Sequence, residues 1–459
     1  MIKLVAIIGA GFSGATTAIH LLKAAKTPMR VILIDAKSPH GGGLAYSTFD
    51  DNFVLNVPAQ NMSVFPDRMD DFAQYCNAED SALVSSSFVS RRIYGEYLKQ
   101  RLSSVAQTSM GELVLLKERV ISLTQDASGY QLHCSSGLKI GAHSVVLSFG
   151  HFAPKPLDAL LPGKVDAKAL IVNNPWDVHA IDSVPRNKDV LIVGTGHTAI
   201  DTLFRLETAL ADRRIWMFSR HGLHPQGHRP VGEFHKDPVL QKMVQDRVLE
   251  ALLRTHSLRA VVKVVRQLIS ELDVNWRDVI NALRPITPTL WQTLPKTEKS
   301  RFLRHVVPYW DVLRHRLSPL AIKRLRTSFD EGRSTIGAYA IQSIRTQRDG
   351  DIQVTAKCRH THQANSFTVG AVVNCSGPTY DITKTGNELV SFLSSQGILS
   401  QDEMKIGFRV AADYTVNPHF PRIYYVGPML KATHWEAIAV PELRVHTARL
   451  AQTILEDSQ

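Results

Sequence analysis

The sequence predicts an α/β fold with two parallel-sheet units, β-meander insertions and a helical subdomain, and three observations carry that prediction. The apolar run Leu4–Ile8 leads into Gly9-Ala-Gly11-Phe12-Ser13-Gly14. Far along the chain, Val190–Val193 leads into Gly194-Thr-Gly196-His197-Thr198-Ala199. A set of alternating strand patterns occurs twice, and each copy closes on an apolar strand ending in glycine, at Gly150 and at Gly377. Each glycine set reads as a buried parallel strand, a tight turn and a helix. In that geometry glycine lets the backbone approach a pyrophosphate, and the helix N-terminus stabilises its charge. Two such sets imply two Rossmann-like dinucleotide-binding domains.

The residues after each turn separate the two sites. A second apolar strand, Val31–Ile34, ends at Asp35. That is about 20 residues beyond the glycines, where an acid holds the hydroxyls of an adenosine ribose. After the second turn, Ile215–Phe218 ends at Ser219-Arg220. Here a hydroxyl and a guanidinium replace the acid. Arg forks onto a phosphate that a carboxylate would repel, so this site suits a 2′-phosphate. The first site therefore reads as FAD and the second as NADPH, with Gly9, Gly11, Phe12, Ser13, Gly14 and Asp35 binding one, and Gly194, Gly196, His197, Thr198, Ser219 and Arg220 the other. A solvated surface charge at Arg220 would leave NADH open.

At 459 residues the chain exceeds a single core. No apolar run is long enough to cross a bilayer, and the N-terminal apolar segment is the first strand rather than a signal peptide. Cys76, Cys134, Cys358 and Cys375 lie far apart with no C-x-x-C, which fits a reduced, cytoplasmic protein. The net charge of +11 is concentrated. Residues 211–330 hold 22 basic and 11 acidic side chains, the whole of the excess. Such a field can steer an anionic cofactor or substrate. Nucleic acid is disfavoured, because the basic residues are scattered along helical faces without interleaved aromatics.

The repeat sets the domain plan. Residues 119–150 and 340–377 each carry meander strands and a return strand. The plan is a discontinuous FAD-binding domain at 1–155 and 335–459, and an NAD(P)H-binding domain at 156–236 with return strands near 335–377. A helical insertion fills 237–333. In that insertion Val239, Met243, Val244, Val248, Leu249, Leu252 and Leu253 share a predicted helix face, with further helices at 257–272, 275–284, 297–306 and 318–328. Trp291, Tyr309 and Trp310 lie within it, and it reads equally as a cap or as a lid over the flavin.

Histidines supply the acid–base candidates: His151 directly after the first return strand, and His434 near the C-terminus. His221, His224 and His228 cluster after Arg220, but in a loop rich in Pro and Gly, where polar loop residues are expected rather than a metal site. No metal is predicted.

Gly41-Gly-Gly43-Leu-Ala-Tyr46-Ser, Leu55-Asn56-Val-Pro58, Tyr94-Gly-Glu-Tyr-Leu98, Val193-Gly-Thr-Gly196, Asn374-Cys-Ser376-Gly377-Pro378, Tyr425-Val-Gly427-Pro428 and Trp435-Glu436 join the first glycine set in a pattern that spans nearly the whole chain. With it the chain resembles the bacterial FAD/NAD(P)-binding proteins that include an FAD-dependent urate hydroxylase, within the two-domain flavoprotein monooxygenases. The resemblance implies cofactor contacts at Gly43, Tyr46, Asn56, Val120, Gly150, Ser376, Gly377 and Gly427, with Asn56 at the flavin's reactive end and Trp435 and Glu436 at its pyrimidine side. Pro428 stands where many flavoproteins carry an acid. The implied activity is NADPH-driven hydroxylation of a small molecule, with molecular oxygen as co-substrate, through a flavin C4a-(hydro)peroxide. Two alternatives stay open: an NAD(P)H:acceptor flavin reductase, and a non-enzymatic dinucleotide-binding redox sensor.

Overall fold

The computed structural model describes residues 2–48, 50–207, 213–229, 237–271 and 274–457. The domain boundary expected at 236, residue 272 of the second insertion helix and Pro230 of the histidine loop lie outside these residues.

The first unit is a five-stranded parallel sheet. Its strands are β1 (Lys3–Ile8), β2 (Met29–Ile34), β3 (Glu112–Leu116), β7 (Ser144–Leu147) and β15 (Ile423–Tyr425), in the order β15-β7-β1-β2-β3. Val5, Ala6 and Ile7 have no exposed surface because the helix Phe12–Ala24 and the meander strand Lys139–Ala142 both pack against β1, which is why it reads as an unbroken apolar run. The helix Phe12–Ala24 packs on the C-terminal helix Val440–Glu456. Between β3 and β7, a separate antiparallel sheet holds β4 (Val120–Asp126), β5 (Gly129–Cys134) and β6 (Lys139–Ala142).

The second unit repeats this plan with a variation. Its strands are β8 (Ile171–Val172), β9 (Val190–Val193), β10 (Ile215–Ser219), β11 (Ser334–Thr346), β12 (Ile352–Cys358), β13 (Ala364–Val369) and β14 (Ala371–Asn374), in the order β13-β12-β11-β10-β9-β14-β8. The meander is not a separate sheet here. β11 is long enough to serve twice: Ser334–Ala338 pairs parallel with β10, and Tyr339–Thr346 pairs antiparallel with β12, with an irregularity between Ile341 and Ser343.

The helical segment interrupts the crossover from β10 to β11. Its last helix, Pro319–Asp330, completes that crossover and packs Ile322 and Leu325 into the core around β9. The preceding helices include Pro238–Thr255, Leu258–Glu271, Trp276–Leu283, Thr287–Thr293 and Val307–Arg314. They form cores of their own around Val244, Val248, Leu268 and Val279, and around Leu252, Leu258 and Leu294. The expected apolar face of the first helix needs a correction. Val244, Val248 and Leu252 are buried, one helical turn apart, but Val239 is 80% and Leu253 60% exposed. Val239 lies in the first turn, and Leu253 points about 100° away from the buried stripe.

Candidate functional site

Each glycine of the first turn answers a different demand. Gly9 has φ +105°, and a Cβ there would sit 2.6 Å from the Ser148 carbonyl oxygen. Gly14 lets the helix lie on the turn, since its Cβ would stand 1.9 Å from the Gly9 oxygen. Gly11 answers neither demand. Its φ is −72°, and the nearest atom to a Cβ would be Gly43 Cα at 3.8 Å. Room that the protein leaves unused at the middle glycine is the room a pyrophosphate needs. The helix that starts at Phe12 has no side-chain cap, so the first-turn amides of Phe12, Ser13 and Gly14 remain available to an anion. Asp35 ends β2 and stiffens the turn: its Oδ2 accepts from Ala10 N at 3.1 Å, and its Oδ1 accepts from Lys37 N at 2.8 Å.

The second turn shows the same division. Gly194 has φ +121°, and its Cβ would stand 2.1 Å from the Cys375 oxygen. Ala199, fully buried, takes the packing position of the third glycine. At Gly196 a Cβ would meet nothing within 4 Å. Neither middle glycine is thus required by a clash: Gly196 faces open space, and Gly11 has only the Gly43 Cα at contact distance. The Ser219 hydroxyl accepts from Thr195 Oγ1 and from Gly222 N, each at 3.0 Å, tying the turn to the loop after β10. Arg220 is exposed and shares its surroundings with Arg359, from the β12–β13 turn. Burial, then Arg220 and Arg359, holds the neighbouring His221 imidazole below its usual range. Arg359 carried no sequence signal because 139 residues separate it from Arg220, and only the sheet brings the two together.

The other candidates fall in several places. Gly43, with φ +53°, would place a Cβ 2.6 Å from Gly11 Cα, so the 41–43 loop lies against the first turn. The Tyr46 ring packs 4.7 Å from Tyr94, and burial pushes its phenol up to about 12. The Asn56 carbonyl accepts from His228 Nε2 at 2.9 Å, which joins the two units. Val120 is buried at the head of β4. Gly150 and Gly377 face open space, whereas Gly427 allows close approach, with a Cβ 2.7 Å from the Phe149 oxygen. Ser376 Oγ donates to Asn374 Oδ1 at 2.7 Å. Thr198 lies half-buried in the first turn of the second unit's helix.

The two expected acid–base histidines have different company. The His434 ring packs 4.6 Å from His446, whose Nδ1 meets Tyr414 Oη at 3.0 Å. His151 faces Tyr380 at 6.3 Å, in a region of solvent access where the surrounding protein and then Lys431 push its pKa down. Lys431 is buried, with Nζ 4.2 Å over Trp435 and 5.5 Å over Tyr380. Asp311 joins this group from the helical segment. Burial raises its carboxyl to about 6, against the pull of Lys431. His197 reaches the same segment, its Nε2 lying 2.9 Å from the His315 oxygen. Lys431, Asp311, Tyr380 and His315 were not anticipated. They come from three separate segments, Asp311 and His315 sharing one helix end, and carry no motif. The loop histidines diverge: His221 packs near Tyr309, His224 Nδ1 lies 3.0 Å from the Pro225 oxygen, and His228 reaches Asn56.

Trp435 and Glu436 anchor the helical segment. Trp435 packs against Trp291 at 4.8 Å and Phe302 at 4.9 Å. Glu436, 1% exposed, accepts from Trp310 Nε1 at 2.9 Å and lies 3.1 Å from Arg314 Nε, an ion pair without hydrogen-bond alignment. Arg284 grips Glu442 with two nitrogens, one at 2.9 Å, and Trp291 Nε1 donates to the Ala432 oxygen at 2.8 Å.

Residues 6–152 match the model of a family described as FAD-NAD(P)-binding. No curated protein sequence matches the chain. Among solved structures, the chain is similar to an ornithine N-hydroxylase of Kutzneria sp. 744 with reduced FAD, NADP⁺ and L-ornithine, at a TM-score of 0.65 and 13% identity over 100% of both chains. It is similar to an L-lysine 6-monooxygenase of Pseudomonas syringae, at 0.64 and 15% over 99% of both. A thioredoxin reductase of Lactococcus lactis matches at 0.53 and 12%, over 99% of this chain and 98% of that one. The chain therefore has the two-domain α/β fold of FAD- and NADP-dependent flavoproteins, and the breadth of these matches shows that the fold alone does not choose the reaction.

Proposed function

We propose that the chain is an FAD-dependent, NADPH-using monooxygenase that hydroxylates a small molecule. The observation that carries this reading is the pair of middle glycines that no clash requires, Gly11 and Gly196, one in each parallel-sheet unit. Bound FAD, once reduced by NADPH, supplies the activation of oxygen and the transfer of one oxygen atom. The protein supplies the rest. The Gly9–Gly14 turn and the uncapped helix start receive the FAD pyrophosphate, with Asp35 on the ribose. Arg220 and Arg359 receive the 2′-phosphate of NADPH. Asp311, with a carboxyl raised to about 6, is placed to hold or release a proton beside Lys431. Trp435, Trp310 and Trp291 keep water from that wall.

The whole-chain likeness to N-hydroxylating monooxygenases supports oxygen transfer, and the motif resemblance to the group with a urate hydroxylase supports the same class. The reductase alternative has the likeness to thioredoxin reductase in its favour. Its disulfide form lacks a redox pair among the described residues: all four cysteines are free, and burial pushes Cys76 and Cys375 up to about 12.

The deciding experiment follows the purified, flavin-loaded protein. NADPH should bleach the flavin faster than NADH does, and reoxidation should consume oxygen. With substrate, one atom of labelled oxygen should appear in product. Reoxidation by a quinone or dye but not by oxygen would establish the reductase instead.

A further inference from the structure

The helical segment carries a pocket of about 520 Å³, open to solvent on one side. That lies within the roughly 300–1,000 Å³ range of small-molecule pockets. Its walls come from the segment's own helices, apart from Trp435, with Val261, Val265 and Ile269 among the lining residues of one helix and Ile280 and Leu290 from two others. Val261, Val265 and Ile269 pack against the core around Val244 and Val279 yet remain only half-buried, because they also face this space. A void of this size forfeits the contacts that a close-packed interior makes. An apolar wall of this extent suits the apolar body of a ligand.

Two features define the occupant. The polar groups on the lining include Arg266 and His305, and no Asp or Glu lines the cavity among the described residues. A cationic head would meet positive charge there, and an acidic head would meet a partner. The second feature is Trp435, which forms a wall of the cavity with Trp291 and Phe302 and carries the Lys431 ammonium 4.2 Å over its ring. The cavity thus shares a wall residue with the Lys431–Asp311–His151 group.

We propose that the helical segment is the chamber for the substrate's apolar body, and that the substrate is an amphipathic carboxylate rather than a diamine or diamino acid. The word substrate rests on the monooxygenase reading; the chamber does not.

The test titrates the full-length oxidised protein, without NADPH, and follows its tryptophan fluorescence. Decanoate and 1-naphthoate are the probes, separating an aliphatic from an aromatic body; decylamine and ornithine carry the opposite charge. A saturable change with either carboxylate, and none with the amines, is expected. Val265→Phe and Leu290→Phe fill the cavity and should weaken binding at least about tenfold while melting no lower than the parent protein. Arg266→Gln should weaken a carboxylate about tenfold and leave decanol unchanged. No saturable signal from either carboxylate, tighter binding of decylamine, or unchanged affinity in both filled variants overturns the proposal. Because no turnover is involved, failure of the redox reading would show separately, as intact binding without NADPH oxidation.

Discussion

Gly11 and Gly14 stand three residues apart in one turn, yet substitution should separate their roles. A Cβ at Gly14 collides with backbone at 1.9 Å, so Gly14→Ala should fold poorly and melt far lower. A Cβ at Gly11 meets nothing closer than 3.8 Å. Gly11→Val should therefore give a folded but colourless protein, checked by circular dichroism and by flavin released on denaturation. A yellow Gly11→Val protein with full flavin content would remove FAD from this turn. At the second site, Arg220→Ala and Arg359→Ala would each delete one of the proposed charge-assisted contacts, worth about 1.5–3 kcal/mol. Each should raise the NADPH Kd about ten- to a hundredfold and leave NADH unchanged. Equal losses for both nucleotides would show that neither guanidinium reads the phosphate. Asp311 yields a pH test. Its folded carboxyl titrates near 6, above the usual 3.8. Between about pH 4 and 6 the unfolded chain releases this proton while the folded chain keeps it, so folding loses stability as pH rises through that window. Asp311→Asn should melt like the parent below pH 4 and higher than the parent at pH 7, measured by calorimetry.

Elements carried most of what the sequence made legible. β1, β2, β9 and β10 are apolar runs bounded by glycine or a polar residue, and periodicity places them within a residue or two. The insertion helices 258–271, 276–283 and 319–330 likewise follow predicted spans of 257–272, 275–284 and 318–328. The register between elements was not legible. Nothing local announces that Glu436 accepts from Trp310 or that Arg284 grips Glu442, because those pairs are 126 and 158 residues apart. These contacts decide how the helical segment sits. Glu436→Gln would leave the Arg314 guanidinium buried with a weaker partner, and losing one side of a buried pair typically costs about 3–5 kcal/mol. The expected outcome is faster proteolysis within 238–330 and a lower melting point, with the flavin still bound. Unchanged proteolysis would mean that the remaining contacts, Arg284–Glu442 and Trp291–Ala432 among them, hold the segment without Glu436.

At the scale of the whole molecule, charge and architecture act together. The two sheet units are held by Arg91–Asp201 at 2.8 Å, Arg205–Asp50 at 2.6 Å and the His228–Asn56 contact, all partly shielded from water. Pairs of this kind keep the second cradle in one position relative to the first, even in salt. The long-range field behaves differently. The whole +11 excess lies in residues 211–330, which take in the strand leading to Arg220 and run to the end of the helix Pro319–Asp330. NADPH is an anion arriving at that region, and attraction beyond about 10 Å is screened at 0.1 M ionic strength. The NADPH association rate should therefore fall steeply from low to moderate salt, while its dissociation rate, set by close contacts such as Arg220 and Arg359, changes less. Stopped-flow mixing over a salt series would measure both. FAD enters the other unit, where no such excess lies, so its rebinding to stripped protein should depend on salt more weakly. Equal salt slopes for the two dinucleotides would mean that the basic segment does not guide NADPH.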